Sequence, residues 1–119
     1  MLKCDSKIIL CDEHGLKVFG EGPLKLLLNV KECGSLNGAA KKMYMSYKKA
    51  LSLVEKAEEG LGFPLLVSKA GGNRGGGSEL TPETEEFLEL YAKFSADAKE
   101  RVRACYEEYF SRSDGRSIS

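Results

Sequence analysis

The chain has 119 residues and carries 18 basic and 18 acidic side chains, so it is long enough for one domain and has no net charge with which to coat a polyanion uniformly. Hydrophobic residues make up 42%, and no apolar run approaches the roughly 20 residues that a membrane-spanning helix needs, which excludes an integral helical membrane protein. The opening MLKCDSKIILC is too charged, and its apolar stretch too short, for a secretory signal, so we expect a cytoplasmic protein with no membrane partner.

The first predicted elements are a β-hairpin and a helix. Two β-prone runs, at residues 7–11 and 16–19, flank an acidic turn that contains glycine, which is typical of a hairpin. Pro23 then fits the first turn of a helix, and Gly34 fits its left-handed end. We expect the inner stripe of this helix to consist of Leu24, Leu27, Leu28 and Lys31.

The stretch from residue 34 to residue 54 predicts two short helices joined by a tight turn. Ser35 and Ser46 are good N-caps, because a serine hydroxyl can accept a hydrogen bond from a free backbone N–H. Tyr44 and Met45 form the connection. The apolar positions that give each helix one buried face are Leu36, Ala39, Ala40 and Met43, then Tyr47, Ala50, Leu51 and Val54. This pattern indicates a helix-turn-helix, whose second helix enters the major groove of DNA.

Charge in this stretch is one-sided, since residues 34–53 carry four lysines and no acid. The N-terminal end of a recognition helix supplies base contacts, which makes that end of the second helix the expected major-groove probe. The predicted probe residues are Ser46, Tyr47, Lys48 and Lys49. The lysines of the first helix, Lys41 and Lys42, are expected to contact only the DNA backbone.

A strand, a loop and a returning strand follow the second helix, which is the arrangement of a wing. The strands are predicted at residues 65–67 and 78–80, and the loop at 71–77 is rich in glycine. The loop lacks the G-K-[ST] ending of a phosphate-binding loop. Its expected DNA contacts, to phosphate or in the minor groove, are Lys69, Asn73 and Arg74. A plain flexible loop without DNA contact stays open as the alternative.

The last predicted helix begins at a Thr81 cap with Pro82 in its first position and runs to about Phe110. Its apolar positions approximate a heptad seam, which predicts pairing with a second copy of the chain. The seam residues are Phe87, Tyr91, Phe94, Ala98, Val102, Cys105 and Tyr109. The alternative is that the helix folds back on its own domain. We therefore divide the chain into a DNA-binding domain at 1–80, a dimerisation helix at 81–110 and a polar tail at 111–119 that is expected to be disordered.

Catalytic and metal-binding patterns are weak in this sequence. There is one histidine, and the clustered glutamates fit the start of a helix better than an acid/base pair, so we expect no catalytic residue and no enzyme activity. The four cysteines form no C-x-x-C pair, which favours reduced thiols with no metal and no cofactor. Metal binding or redox sensing through Cys4, Cys11, Cys33 or Cys105 stays open as an alternative function.

Three motifs together resemble a known family. They are GSLNGAAKKMYMSYKKALSLVE, the glycine-rich AGGNRGGGSELT, and the L-T-P-E start of the long helix, which cover about residues 20–95. They are similar to the N-terminal DNA-binding domain of ModE, the molybdate-dependent transcriptional regulators, a winged helix related to the LysR type. One departure is Leu51, where that family commonly has tryptophan.

The resemblance implies a homodimer that grips double-stranded DNA and regulates transcription, with genes for molybdate or tungstate handling as candidate targets. Family members carry C-terminal molybdate-binding domains that this sequence lacks, so no molybdate site is expected here. The predicted fold class is α+β, mainly helical: a winged helix-turn-helix with an N-terminal hairpin, a two-stranded wing and a long C-terminal dimerisation helix. A winged-helix module that binds another protein through its acidic last helix is the remaining rival.

Overall fold

A computed structural model describes residues 2–69 and 77–110 of the chain. In chain order the elements are β1 (Leu10–Cys11), β2 (Lys17–Phe19), α1 (Glu21–Cys33), α2 (Leu36–Lys42), α3 (Tyr47–Leu61), β3 (Leu66–Lys69), β4 (Gly77–Leu80) and α4 (Pro82–Phe110). The strands form two separate antiparallel pairs, β1 with β2 and β3 with β4. The predicted mainly helical α+β class is confirmed, with its N-terminal hairpin, its two-stranded wing and its long last helix.

The N-terminal hairpin closes around Asp12. The Asp12 carboxylate accepts hydrogen bonds from the backbone N–H groups of His14 at 2.8 Å and Leu16 at 2.9 Å, which orders the turn. Strand β1 covers only Leu10–Cys11, with a register shift between these two residues, and is shorter than the predicted run at 7–11. Residues 2–9 lie outside regular secondary structure.

Helix α1 buries a different stripe from the predicted one. Its buried residues are Pro23, Leu26, Leu27 and Val30, whereas Leu28 is 48% exposed and Lys31 pairs with Glu85 on the surface. The prediction was therefore right for Leu27 and wrong for Leu28 and Lys31, with Leu24 only partly buried. Leucines surround much of this helix, so periodicity alone does not fix its phase, and packing against its neighbours does.

The helix-turn-helix forms as the sequence predicts. The Ser35 hydroxyl accepts from Gly38 N at 2.9 Å, and the Ser46 hydroxyl accepts from Lys49 N at 3.0 Å, so both N-caps are confirmed. Gly34 and Gly62 end α1 and α3 in the left-handed conformation, at φ of 85° and 89°. These caps set where each helix begins and ends.

Small side chains hold the helices and the hairpin close together. Ala39 and Ala40 of α2 and Ala50 and Ala57 of α3 are essentially fully buried. At Gly60 the last turn of α3 lies so close to β2 that a Cβ atom there would overlap the side chain of Val18. The absence of a side chain at Gly60 therefore sets the contact between α3 and the hairpin.

The wing base is joined to the start of α4 by two buried threonines. Strands β3 and β4 pair from Leu66 with Leu80 to Lys69 with Gly77, so Gly77 belongs to the strand and not to the predicted loop. The Thr81 hydroxyl accepts from Thr84 N at 3.1 Å, which confirms the predicted cap, and the Thr84 hydroxyl donates to Leu65 O at 3.0 Å. The end of the wing and the beginning of α4 are thus one hydrogen-bonded unit.

Only the N-terminal part of α4 belongs to the core. Phe87 and Tyr91 pack edge-on against Phe19 of β2, with ring centroids 4.9 Å and 5.0 Å apart. Beyond Tyr91 the helix residues are mostly exposed as far as Phe110. The predicted tail at 111–119 lies outside the described residues, and the division of the chain at residue 80 stays a prediction. Within the described ranges, no helix is both long enough and apolar enough to cross a membrane.

The close approach at Gly60 predicts a difference between two glycine-to-alanine substitutions in helices. Gly60→Ala forces the Val18 side chain or the α3 backbone to move, and overpacking of this kind costs about 1–3 kcal/mol in the free energy of unfolding. Gly22→Ala places a methyl group in open space at the start of α1 and should cause no loss, with a gain of up to about 1 kcal/mol from helix propensity. Urea denaturation of both variants measures the difference, and equal stabilities would refute the packing argument.

Candidate nucleic-acid interface

The N-terminal end of α3 points into solvent. Ser46, Tyr47, Lys48 and Lys49 are all exposed, while Ala50, Val54 and Ala57 bury the opposite side of the helix. The prediction that Tyr47 belongs to the buried face of this helix was wrong, because Tyr47 is 50% exposed. The first turn of α3 contains no acidic residue, and the helix dipole adds partial positive charge at this end. These four predicted residues therefore form one exposed, positively charged tip, which is suited to an anionic partner.

The two lysines of α2 have different surroundings. Lys41 is exposed, whereas Lys42 Nζ lies 2.6 Å from Glu32 Oε1 of α1. The hydrogen bond and the opposite charge raise the pKa of Lys42 and lower that of Glu32. Within the described residues, Lys41, Lys48 and Lys49 form no ion pair, so Lys42 is the less available of the predicted backbone contacts.

The loop end of the wing strands is fixed against the turn between α1 and α2. Ser78 N donates to Gly34 O at 2.9 Å, and a Cβ atom at Gly77 would lie only 2.5 Å from the same carbonyl oxygen. Lys69, at the end of β3, is exposed on this side of the wing. Of the other predicted wing contacts, Asn73 and Arg74 lie outside the described residues.

Glu58 was not singled out from the sequence, and the structure gives it a positioning role. Its carboxylate accepts from Leu65 N at 2.8 Å, immediately before β3 begins, and Leu65 is fully buried. The contact links the last turn of α3 to the residue before β3, so it fixes the position of the wing relative to α3. The sequence carried little signal for this, because Glu58 is one of several surface acids on α3 and the partner is a backbone amide.

The predicted heptad seam divides into two parts. Phe87 and Tyr91 lie in the aromatic core of their own chain, and the Tyr91 hydroxyl donates to Ile8 O at 2.7 Å. Burial, with a smaller effect of the Glu21 charge, raises the pKa of Tyr91. The remaining seam residues, Phe94, Ala98, Val102, Cys105 and Tyr109, are exposed or only partly buried. The alternative that the helix folds on its own domain therefore describes its first part only.

The four cysteines are unpaired, with Cys4 partly buried and Cys11, Cys33 and Cys105 exposed. In the part of the chain that the structure describes, no three histidine, cysteine, aspartate or glutamate side chains come together as a metal site.

Comparison with known proteins agrees with this geometry. The sequence profile of the bacterial regulatory helix-turn-helix proteins of the LysR family matches residues 23–85. The chain belongs to the LysR family. The matched range runs from α1 through the helix-turn-helix and the wing to the start of α4, which is the part that carries the exposed basic tip.

Two curated relatives confirm the resemblance to ModE. The transcriptional regulator ModE of Haemophilus influenzae is 41% identical over 68 residues, covering 57% of this chain and 27% of that protein. The molybdenum-pterin-binding protein MopB of Rhodobacter capsulatus is 32% identical over 94 residues, covering 79% of this chain and 34% of that protein. The chain thus matches only about a third or less of the length of these relatives.

Among solved structures, a CbnR_DBD–DNA complex is similar at 28% identity with a TM-score of 0.52. The match covers 71% of this chain and 95% of that one. The predicted winged helix-turn-helix fold is therefore confirmed by a DNA-complexed relative as well as by its own elements.

The link between α3 and the wing predicts different results for two adjacent glutamates. Glu58→Ala leaves the buried Leu65 N–H without its acceptor, which should lower the free energy of unfolding by about 1–3 kcal/mol and speed amide exchange at Leu65. Glu59→Ala removes an exposed carboxylate and should change stability by less than about 0.5 kcal/mol. Denaturation with amide exchange by NMR tests this, and an unchanged Leu65 amide in Glu58→Ala would contradict the positioning role.

Proposed function

We propose that this chain binds double-stranded DNA as a homodimer and regulates transcription. The observation that carries the proposal is the exposed tip of α3, where Lys48 and Lys49 follow the Ser46 cap with no acid in the first turn and no ion pair among the described residues. A tip of this charge, held by a rigid three-helix core, is what a recognition helix presents to the major groove. We propose no enzyme activity and no cofactor for it.

Two contacts support a second point of attachment at the wing. The Gly34 carbonyl holds β4 through Ser78, and Glu58 holds the residue before β3, so the wing has a defined position beside α3. Lys69 then lies where it can pair with phosphate, and Asn73 and Arg74 follow it along the chain. We propose these residues as backbone or minor-groove contacts that set the register of α3 on the duplex.

Replacing Lys48 and Lys49 with alanine together should weaken DNA binding and its dependence on salt. Each phosphate contact that is lost should reduce the slope of log K against log salt by about 0.9, because fewer counterions are released. Fluorescence anisotropy with a labelled duplex at several salt concentrations measures both quantities. Alanine is a strong helix former, so α3 and its Ser46 cap should persist in the variant.

Lys93→Ala is the matched control, since Lys93 is an exposed lysine on α4, away from the helix-turn-helix. It should leave affinity and salt slope unchanged. If the Lys48/Lys49 variant and this control have the same affinity and salt slope, the α3 tip is not a DNA contact.

The distal part of α4 supports the homodimer. Phe94, Val102 and Tyr109 stay 51%, 39% and 61% exposed although they recur on one side of the helix. Val102, Cys105 and Tyr109 also line an apolar groove that continues to Phe110. An extended apolar seam on a single projecting helix is a surface that a second copy of the same helix can cover.

Val102→Asp should convert the dimer to monomer, because a charge in the seam would be buried without a partner. Ala104→Asp adds the same charge on the opposite, exposed side of α4 and should leave the dimer intact. Sedimentation equilibrium distinguishes the two. If both variants stay dimeric, the seam is not the interface.

The regulated genes are proposed from the relatives. ModE and MopB are named for transcriptional regulation and molybdenum-pterin binding, so we propose genes for molybdate or tungstate handling as targets. No molybdate site is proposed within this chain. Because regulation of this kind acts on bacterial DNA, we place the protein in the cytoplasm.

A further inference from the structure

The turn of the helix-turn-helix contains a tyrosine in a conformation that usually requires glycine. Helix α2 ends in a complete Schellman motif, in which Tyr44 N donates to Lys41 O at 3.1 Å and Met45 N donates to Ala40 O at 3.0 Å. This motif needs a left-handed residue at its penultimate position, and Tyr44 occupies it at a φ of 56°. Among the described residues other than glycine, Tyr44 alone has a positive φ.

The other two helix ends of the core show what this position normally holds. Helices α1 and α3 end in the same left-handed conformation at Gly34 and Gly62. Glycine adopts it without steric cost, whereas a bulky side chain is strained there. The strain at Tyr44 is not offset by packing, because its side chain is 97% exposed. Nothing within the described fold therefore accounts for a tyrosine at this position.

The location of Tyr44 suggests a reason for the tyrosine that lies outside the fold itself. It lies two residues before the Ser46 cap and three after Lys41, in the turn that leads into the basic tip of α3. A duplex that receives this tip in its major groove has its sugar-phosphate backbone at the edge of the groove, beside the turn. Tyrosine hydroxyls donate hydrogen bonds to phosphate oxygens in protein–DNA interfaces.

We propose that Tyr44 is a DNA-contacting residue, whose hydroxyl donates to a backbone phosphate and whose ring packs on the adjoining sugar. The inference rests on the proposed function and adds a contact of a different kind from the lysines. The phenol is neutral, so its hydrogen bond strengthens binding without releasing counterions. The left-handed turn fixes the backbone from which the ring projects, while the ring itself is exposed and free to contact DNA.

The experiment uses the full chain and a duplex that the wild-type protein enriches from a random pool. Tyr44→Phe removes only the hydroxyl and should weaken binding about fivefold, with the slope of log K against log salt unchanged. Tyr44→Gly removes the ring and the strain together, so it should weaken binding at least tenfold while raising the midpoint of thermal unfolding. Higher thermal stability together with weaker DNA binding in Tyr44→Gly identifies Tyr44 as a DNA contact. A residue that only supports the fold would lose stability when it is replaced.

Lys93→Ala serves again as the control, because Lys93 is exposed on α4, outside the helix-turn-helix and away from the proposed dimer seam. It should bind the duplex with wild-type affinity. Wild-type affinity of both Tyr44 variants would overturn the assignment, and so would a fall in the salt slope of Tyr44→Phe. Failure of the wild-type protein to enrich any duplex would instead refute the proposed function, on which the inference rests.

Discussion

The structure depends on a core in which buried alanines let helices α2 and α3 pack closely. Ala39, Ala40, Ala50 and Ala57 are essentially fully buried, so each helix approaches its neighbours with little more than a methyl group between the backbones. A larger residue at any of them would overpack this core and disturb the placement of α3. In the proposed complex with DNA, this packing fixes where the exposed lysines at the N-terminal end of α3 point.

The wing is positioned by two hydrogen bonds as well as by its apolar residues, since Leu65 and Leu80 belong to the core and Leu66 packs against it. The Gly34 carbonyl accepts from Ser78 N near the loop end of β4, and the Glu58 carboxylate accepts from Leu65 N just before β3, so the wing is held at both ends of its strands. Gly77 allows the approach, because a Cβ atom there would lie 2.5 Å from the Gly34 oxygen, whereas Gly34 is favoured by its own left-handed φ of 85°. Contacts from the wing and from α3 therefore act as one rigid unit, which is what allows a protein to read DNA in a fixed register.

Helix α4 has two roles along its length. Up to Tyr91 it completes the aromatic core with Phe19 and Phe63, and beyond that point it projects an apolar side into solvent. In the proposed dimer the part of α4 up to Tyr91 packs against the DNA-binding unit, and the part beyond Tyr91 packs against the second copy of the chain. The same continuous helix then fixes the distance and angle between two recognition helices, which determines the spacing of the half-sites they can bind.

Local chemistry in the sequence determined most of the elements. Serine caps at Ser35 and Ser46, glycine ends at Gly34 and Gly62, and the Thr81-Pro82 start of α4 each depend on neighbouring residues alone, and the structure contains all of them. The exposure of the α3 tip was also predictable, because its lysines could not be buried unpaired. Each of these features is determined by residues that are close together in the sequence.

Tertiary structure decided what depends on contacts between distant residues. Leucines on several sides of α1 left its phase open until Leu26 and Val30 packed inward, and the heptad seam of α4 gave no sign that Phe87 and Tyr91 would join Phe19. The ion pair of Lys42 with Glu32, the bond from Leu65 to Glu58 and the strained exposure of Tyr44 likewise required the fold. The physical reason is that periodicity identifies the apolar side of a helix but not the element that packs against it. Whether a residue is buried in the core, positions a neighbour or stays exposed depends on that packing.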